Sequence, residues 1–220
     1  ASFVRVPARN CLALPEGMDP QVAALAEPLS VSLEAVRTGE VKAGDRVLVL
    51  GPGNIGQGIA LFARAAGARQ VVVAGHGDAP RLEVLRRMGF DDLLDFSEGG
   101  MDAMLAPWRE SGGFDVVIEA TGAAAVLAPA LAALRTRGVL VVTGIHAAPV
   151  PIDLVALVRR HHQLRGSYRA PEAAWPEVID FMAAHQATLR HMVTHSVPLA
   201  EAPQAFALAR SKSATKVMVR

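Results

Sequence analysis

The chain has 220 residues, about half of them hydrophobic, with 22 basic and 21 acidic side chains and a net charge of +1. This length suits one large domain, or one domain together with part of another. The scattered charges and the 5% share of aromatic residues argue against a nucleic-acid-binding surface. Cys11 is the only cysteine, so a disulfide within the chain is excluded, and we expect its side chain to be a small core group.

No membrane-spanning segment or secretion signal is predicted. The most apolar stretch, residues 47–67, contains five glycines and Pro52, which indicates a strand, a turn and a helix rather than a membrane span. The first ten residues show no basic region followed by an apolar core, which a secretion signal would require.

The middle of the chain alternates two kinds of segment. Before it, two short strand-like pieces at 3–7 and 11–15 precede a short helix over 19–26. Predicted strands then cover 46–51, 70–75, 91–96, 114–122 and 138–144, and predicted helices cover 55–68, 79–90, 101–111 and 124–138. Because near-continuous Val and Leu runs indicate strands buried on both faces, this alternation predicts an α/β domain with a doubly wound parallel sheet.

The last third of the chain continues with helices and strands of mixed length. We expect helices over 152–160, 175–185 and 201–211, and strands over 163–168, 194–199 and 216–219. The first 26 residues are too few to form a core of their own, so they require a partner, such as this C-terminal segment or another piece of chain.

A glycine-rich motif follows the first predicted strand and opens the first helix. Its residues are Gly51, Gly53 and Gly56, with Asn54 and Ile55 between the last two. This is the context that the dinucleotide-binding pattern requires. The first glycine allows a tight turn, the second lets a pyrophosphate approach the backbone, and the third lets the helix pack on the strand. The motif therefore predicts a Rossmann fold that binds the diphosphate at the helix N-terminus.

The end of the second predicted strand bears on the choice between NAD and NADP. An NAD site usually has an acidic residue there to bind the ribose hydroxyls, but Gly75 stands in this place. His76 and Arg81 would then meet a 2′-phosphate, and the balance leans slightly to NADP tolerance. The alternative is that Asp78 turns back to the ribose and the protein uses NAD. A surface turn with incidental charges also explains His76.

The stretch EPLSVSLEAVRTGEVKAGDRVLVLGPGNIG, residues 27–56, closely resembles the zinc-type medium-chain dehydrogenases, in particular their sorbitol/polyol and threonine dehydrogenase branch. The later stretches EATG, GVLVVTGIHAAPVPIDL, LRGSY and VTHSVPLAEAPQAFALA agree in the same order. The resemblance implies a Rossmann domain over 28–165. It also implies flanking remnants of a GroES-like catalytic domain, over 1–27 and 166–220.

The resemblance also implies roles for individual positions. Glu27 matches a position that supplies a catalytic-zinc ligand, directly or through water, although an acidic residue there also suits the start of a helix. Ser30 and Val31 match positions that line the nicotinamide, and Lys216 matches a basic position that contacts the cofactor diphosphate. Further cofactor contacts are expected at the carboxyl ends of the fourth and fifth strands, at Thr121, Gly122, Thr143, Gly144 and Ile145.

Several expectations concern the whole enzyme that the resemblance implies. It would transfer hydride between a secondary alcohol or polyol and NAD or NADP, with zinc, in the cytoplasm and as a homodimer or homotetramer. The family's other zinc ligands have no counterpart in this sequence, and His191 and His195 are expected to be structural. The chain as given is therefore expected to bind cofactor without catalysis. A naturally truncated, non-catalytic dinucleotide-binding module is the alternative.

Overall fold

The structure is a computed structural model that describes residues 3–220, and its centre is a six-stranded parallel sheet. The strands are β1 Arg46–Leu50, β2 Gln70–Gly75, β3 Leu93–Asp95, β4 Phe114–Glu119, β5 Leu134–Val142 and β6 Gln163–Gly166. Their order across the sheet is β3-β2-β1-β4-β5-β6, and every neighbouring pair is parallel. This is the order of a dinucleotide-binding Rossmann fold, so the predicted fold class is confirmed.

Helices cover both faces of the sheet. They are α1 Pro20–Ala23, α2 Ala26–Thr38, α3 Asn54–Ala65, α4 Ala79–Arg87, α5 Met101–Glu110, α6 Leu127–Ala133, α7 Leu154–Arg159, α8 Ala174–Ala184, α9 Gln186–Leu189 and α10 Ala202–Arg210. Within residues 3–220, no helix has the length and apolar character needed to cross a membrane.

The alternation of side chains along β1 explains why its sequence is apolar throughout. Val47 and Val49 point into the core shared with α2, α3 and α8, whereas Leu48 and Leu50 point into the core shared with α5 and α6. All four side chains are almost completely buried. Each such side chain contributes about 1.5–3 kcal/mol of hydrophobic stabilisation, so the strand is held from both faces.

The C-terminal segment forms a small sheet of its own and also contributes a helix to the main core. β7 Val193–Val197 and β8 Lys216–Val219 form a separate parallel pair, with α10 between them in the chain. Helix α8, in contrast, belongs to the main core, because Val178 and Met182 are fully buried with residues of α2 and α3. The division of the chain between residues 165 and 166 remains a prediction. Helix α8 lies after this division in the sequence but packs in the core of the Rossmann domain.

Three sequence expectations are wrong: the strands near the start of the chain, the core position of Cys11, and the length of the helix after β4. The strands expected at 3–7 and 11–15 do not form, and those residues, including Cys11, are exposed. An isolated apolar pentapeptide becomes a strand only when another strand takes up its hydrogen bonds, and residues 3–19 have no such partner in the described part of the chain. The helix expected over 124–138 ends at Ala133, because Leu134 is already paired with Phe114 in the sheet.

Candidate cofactor site

The turn between β1 and α3 has the tight geometry that its glycines predict. Gly51 has a φ of +106°, in a region that favours glycine, and its N–H donates to the carbonyl of Ala74 at 2.8 Å. A Cβ on Gly56 would lie 1.7 Å from the carbonyl oxygen of Gly51, so no larger residue fits there. The two glycines therefore bring the start of α3 directly against the end of β1.

Gly53, the middle glycine, faces open space instead. It is the N-cap of α3, and a Cβ built on it meets no atom within 4 Å. The first backbone N–H groups of a helix lack acceptors within the helix and, with the helix dipole, favour an anion. Here the N–H of Ile55 is taken by the Asn54 side chain at 2.9 Å. The space beside Gly53 fits the diphosphate of a dinucleotide, which needs close access to the backbone.

A cleft of about 320 Å³ lies at the carboxyl ends of the parallel strands, beside this turn. Five predicted site residues line it, from the starts of α2 and α3 and the loop after β5: Glu27, Val31, Ile55, Thr143 and Ile145. Its other lining residues are Ala120, Tyr168 and Arg169, which the sequence analysis did not select. Their positions in the sequence could have identified them, because Ala120 directly follows β4, and Tyr168 and Arg169 come soon after β6.

A buried carboxylate shapes the loop after β4. The Oε1 atom of Glu119 accepts hydrogen bonds from the N–H and hydroxyl of Thr121, both at 2.5 Å, and from the N–H of Gly122 at 2.8 Å. Its Oε2 lies 3.3 Å from the Nε2 of His146. The backbones of Gly122 and Gly144 pack together without room for a side chain. The predicted residues of these two loops are thus brought together by Glu119, which the sequence analysis missed.

Two predicted residues near the start of α2 have different surroundings. Glu27 is exposed in the first turn of the helix and lines the cleft. Ser30 is almost completely buried, and its hydroxyl donates to the carbonyl of Glu27 at 2.7 Å, so it lies behind the cleft wall. Glu27 therefore satisfies both explanations from the sequence, a favourable charge at a helix start and a carboxylate available to a ligand.

The region after β2 corrects one expectation about the adenosine ribose. His76 is exposed, as a contact residue should be. Arg81 is not available in the same way, since its guanidinium donates to the carbonyl of Ala214 at 2.8 Å and to the Asp78 carboxylate at 3.2 Å. The expectation that Arg81 meets a 2′-phosphate is therefore not supported, because these bonds fix its side chain against the C-terminal segment. Lys216, the predicted diphosphate contact, is partly exposed at the start of β8.

Comparison with known proteins gives the family. Residues 54–184 match the zinc-binding dehydrogenase family. The chain belongs to this family. Sorbitol dehydrogenase of Macaca fascicularis is 34% identical over 225 aligned residues, which cover 99% of this chain and 61% of the relative. The chain thus spans about three-fifths of the length of the curated relatives it matches.

Solved structures of other zinc-binding dehydrogenases share the fold. L-idonate 5-dehydrogenase of Escherichia coli has a TM-score of 0.86 and 28% identity, covering 97% of this chain and 61% of that one. A zinc-binding dehydrogenase of Sinorhizobium meliloti, solved with NADP bound, has a TM-score of 0.85 and 27% identity, covering 97% of this chain and 63% of that one.

Residues 3–220 do not supply a complete set of ligands for a zinc ion. No group of three or more His, Cys, Asp or Glu side chains there is arranged to hold a metal. Glu27 is the one carboxylate that lines the cleft. His195 lies in β7 with its Nδ1 3.0 Å from the Thr194 hydroxyl, and His191 is on an exposed turn. The described residues alone do not fit a zinc ion, which usually takes three protein ligands in a catalytic site.

Proposed function

We propose that this chain is the NAD(P)-binding portion of a zinc-dependent dehydrogenase that transfers hydride between a secondary alcohol or polyol and nicotinamide. The observation that carries the proposal is the open space beside Gly53 at the N-terminus of α3, next to the cleft lined by Val31 and Thr143. The space would take the diphosphate, and the cleft would take the nicotinamide ring. The bound NADP of the Sinorhizobium meliloti relative supports this choice of ligand.

The substrate class is proposed from the relatives. Sorbitol dehydrogenase and L-idonate 5-dehydrogenase are named for polyhydroxylated substrates, so we propose a polyol or a related secondary alcohol. A zinc ion in the whole enzyme would supply polarisation of the alcohol oxygen, which gives up a proton while the carbon that bears it gives up the hydride. The residues of this chain would bind and orient the nicotinamide from the cleft, and Glu27 would supply one carboxylate toward the metal. On this proposal the 220-residue chain binds cofactor but does not turn over substrate.

The test of cofactor binding uses a substitution that fills the space beside Gly53 without disturbing the protein. Gly53→Ala adds a methyl group where no protein atom lies within 4 Å and where φ is −69°, which alanine adopts freely. We expect NADH binding, followed by fluorescence titration, to weaken about tenfold or more, because the methyl group holds the diphosphate away from the helix N–H groups.

Gly99→Ala is the matched control. Its added Cβ would lie 3.4 Å from Met104 in ordinary contact, on the loop after β3. We expect this variant to bind NADH like the unsubstituted chain, and both variants to keep the unfolding midpoint. If the unsubstituted chain binds neither NADH nor NADPH, or if Gly53→Ala binds as well as Gly99→Ala, the proposed cofactor site is wrong.

A further inference from the structure

The end of β2 is where a Rossmann fold places the adenosine ribose, and here it cannot carry an acidic side chain. A Cβ on Gly75 would lie 2.8 Å from the Cβ of Asp78 and 2.9 Å from the ring of Pro52. An Asp or Glu at this position would therefore require the backbone to shift. The usual ligand for the two ribose hydroxyls is excluded by packing as well as absent from the sequence.

The two carboxylates nearest to this point are both occupied by the protein itself. Asp78 is only 5% exposed, and its carboxylate accepts from the N–H of His76 at 3.1 Å and from Arg81 at 3.2 Å. Asp95 accepts from the N–H groups of Gly77 and Asp78, at 2.7 and 3.1 Å, and from the N–H and hydroxyl of Ser97. Oδ1 of Asp95 accepts three of these four hydrogen bonds and Oδ2 accepts one, so most of the acceptor capacity of the carboxylate is used within the turn.

The pKa of Asp95 agrees with this assignment. Burial alone would raise the pKa of the carboxyl group, but the hydrogen bonds from Ser97, Gly77 and Asp78 outweigh burial and lower the pKa to about 2. Asp95 is thus an ionised group that holds the β2–α4 turn in place. It organises the loop beneath the ribose position and leaves recognition to another side chain.

Besides the exposed His76, the side chain available at this point is Lys212, which comes from the loop between α10 and β8. Its Nζ donates to the carbonyl of His76 at 3.1 Å and lies 3.8 Å from the Asp78 carboxylate, which places the ammonium at the end of β2. The side chain is still 51% exposed. An ammonium has three N–H donors, so donors remain for a ligand that approaches from solvent.

The residues around Lys212 leave its side chain open to solvent. Ser211 and Ser213 are exposed, and their hydroxyls lie 2.7 Å apart, with the Ser211 hydroxyl donating to the carbonyl of Leu208 at 2.9 Å. Gly77, with a φ of +64°, has no protein atom within 4 Å of its Cβ position, so the turn opposite the lysine is open. The surface at the ribose position therefore offers a cation, whereas the Asp78 carboxylate is buried and the Asp95 carboxylate is bonded to the turn, and this suits a phosphate monoester better than a pair of ribose hydroxyls.

We propose that Lys212 determines cofactor specificity in this chain by binding the 2′-phosphate of NADP with its ammonium group. The inference rests on the proposed function and narrows it to NADPH as the preferred reduced cofactor. It assigns the phosphate to Lys212 in place of Arg81, one of the two residues that the sequence offered for it, and Lys212 lies 136 positions from His76 in the chain. The C-terminal segment would thus take part in reading the adenosine half of the cofactor.

The test measures binding of NADPH and NADH to the 220-residue chain by fluorescence titration. We expect the unsubstituted chain to bind NADPH more tightly than NADH. Lys212→Met keeps most of the aliphatic stem but removes the charge. We expect it to weaken NADPH binding about tenfold and to change NADH binding less than about twofold, because only NADPH carries the 2′-phosphate. Lys212→Arg should keep most of the preference for NADPH.

Lys42→Met is the matched control, since it removes the same charge from an exposed lysine just before β1, at the amino ends of the parallel strands rather than at their carboxyl ends. It should leave both dissociation constants unchanged. Displacement of NADPH by adenosine 2′,5′-bisphosphate and by adenosine 5′-monophosphate reports on the 2′-phosphate without the nicotinamide. Lys212→Met should weaken the bisphosphate and leave the monophosphate unchanged.

The possible outcomes separate the two proposals. Binding of NADH without binding of NADPH would overturn the role of Lys212 and leave the proposed cofactor site intact. If Lys212→Met weakened the binding of NADPH and NADH equally, with an unchanged unfolding midpoint, the role of Lys212 in specificity would also be overturned. The lysine would then only hold the C-terminal loop against the turn after β2. Binding of neither cofactor to the unsubstituted chain would overturn both proposals.

Discussion

Glu119 is the clearest case in which one residue organises the candidate site. Its side chain is fully buried at the end of β4, where its carboxylate accepts three hydrogen bonds from Thr121 and Gly122. Glu119→Ala would leave these donors without their acceptor in a position with little access to water. We expect it to lower the free energy of unfolding by about 3 kcal/mol, measured by urea denaturation.

Two further variants separate the hydrogen bonds of Glu119 from its charge. Glu119→Gln keeps an acceptor oxygen for the N–H groups of Thr121 and Gly122 and should cost about 1 kcal/mol. Glu83→Gln, at a partly exposed residue of α4 paired with Arg86 and Arg87, should leave stability nearly unchanged. If Glu119→Ala were as stable as Glu83→Gln, the carboxylate would not be holding the loop.

At the scale of elements, the sequence predicts best where the signal is local. The strands over 46–50 and 70–75 form within one residue of the prediction, because their Val and Leu runs are buried on both faces by helices. The glycine turn after β1 is predicted for the same reason, since its geometry depends on residues that are adjacent in the chain. The expected strands at 3–7 and 11–15 fail because a strand depends on a partner, which no pattern within five residues can reveal.

The part of the site that the sequence analysis missed depends on contacts between distant segments. Arg81 was a reasonable candidate for the 2′-phosphate by its position after β2. Its guanidinium is instead bound by the carbonyl of Ala214, 133 residues away, while Lys212 reaches His76 across 136 residues. Such pairs carry no periodicity or spacing signal. Glu119, in contrast, could have been found from the sequence, because a lone acidic residue at the end of a buried strand requires buried partners.

Helix α8 gives a prediction at the scale of elements. Met182 is fully buried in the core that α8 shares with α2 and α3. We expect Met182→Ala to lower the free energy of unfolding of the whole Rossmann core by about 3 kcal/mol in one cooperative urea transition. Asp180→Ala, on the exposed side of the same helix, should have little effect. A separate early transition in Met182→Ala, with the main transition unmoved, would show that α8 folds with the C-terminal segment instead.

At the scale of the whole molecule, the six-stranded sheet has an exposed edge at β6. Leu164 is 45% exposed there, and the preceding helix α7 exposes Leu154, Val155 and Val158. An unpaired strand edge beside several exposed apolar side chains invites another strand, and a two-fold axis would pair β6 with β6 of a second copy. The family resemblance implies a homodimer or homotetramer, and we expect a symmetric homodimer to form through this edge.

Leu164→Lys tests this interface, because in a two-fold arrangement each substitution places two ammonium groups near the same axis. We expect the unsubstituted chain to sediment as a dimer at micromolar concentration and Leu164→Lys to sediment as a monomer, with an unchanged unfolding transition of the monomer. Leu199→Lys makes the same change at an exposed leucine after β7 and should remain dimeric. If the unsubstituted chain sedimented as a monomer, there would be no such dimer. If Leu164→Lys and Leu199→Lys dissociated to the same extent, the contact between copies would not lie at β6.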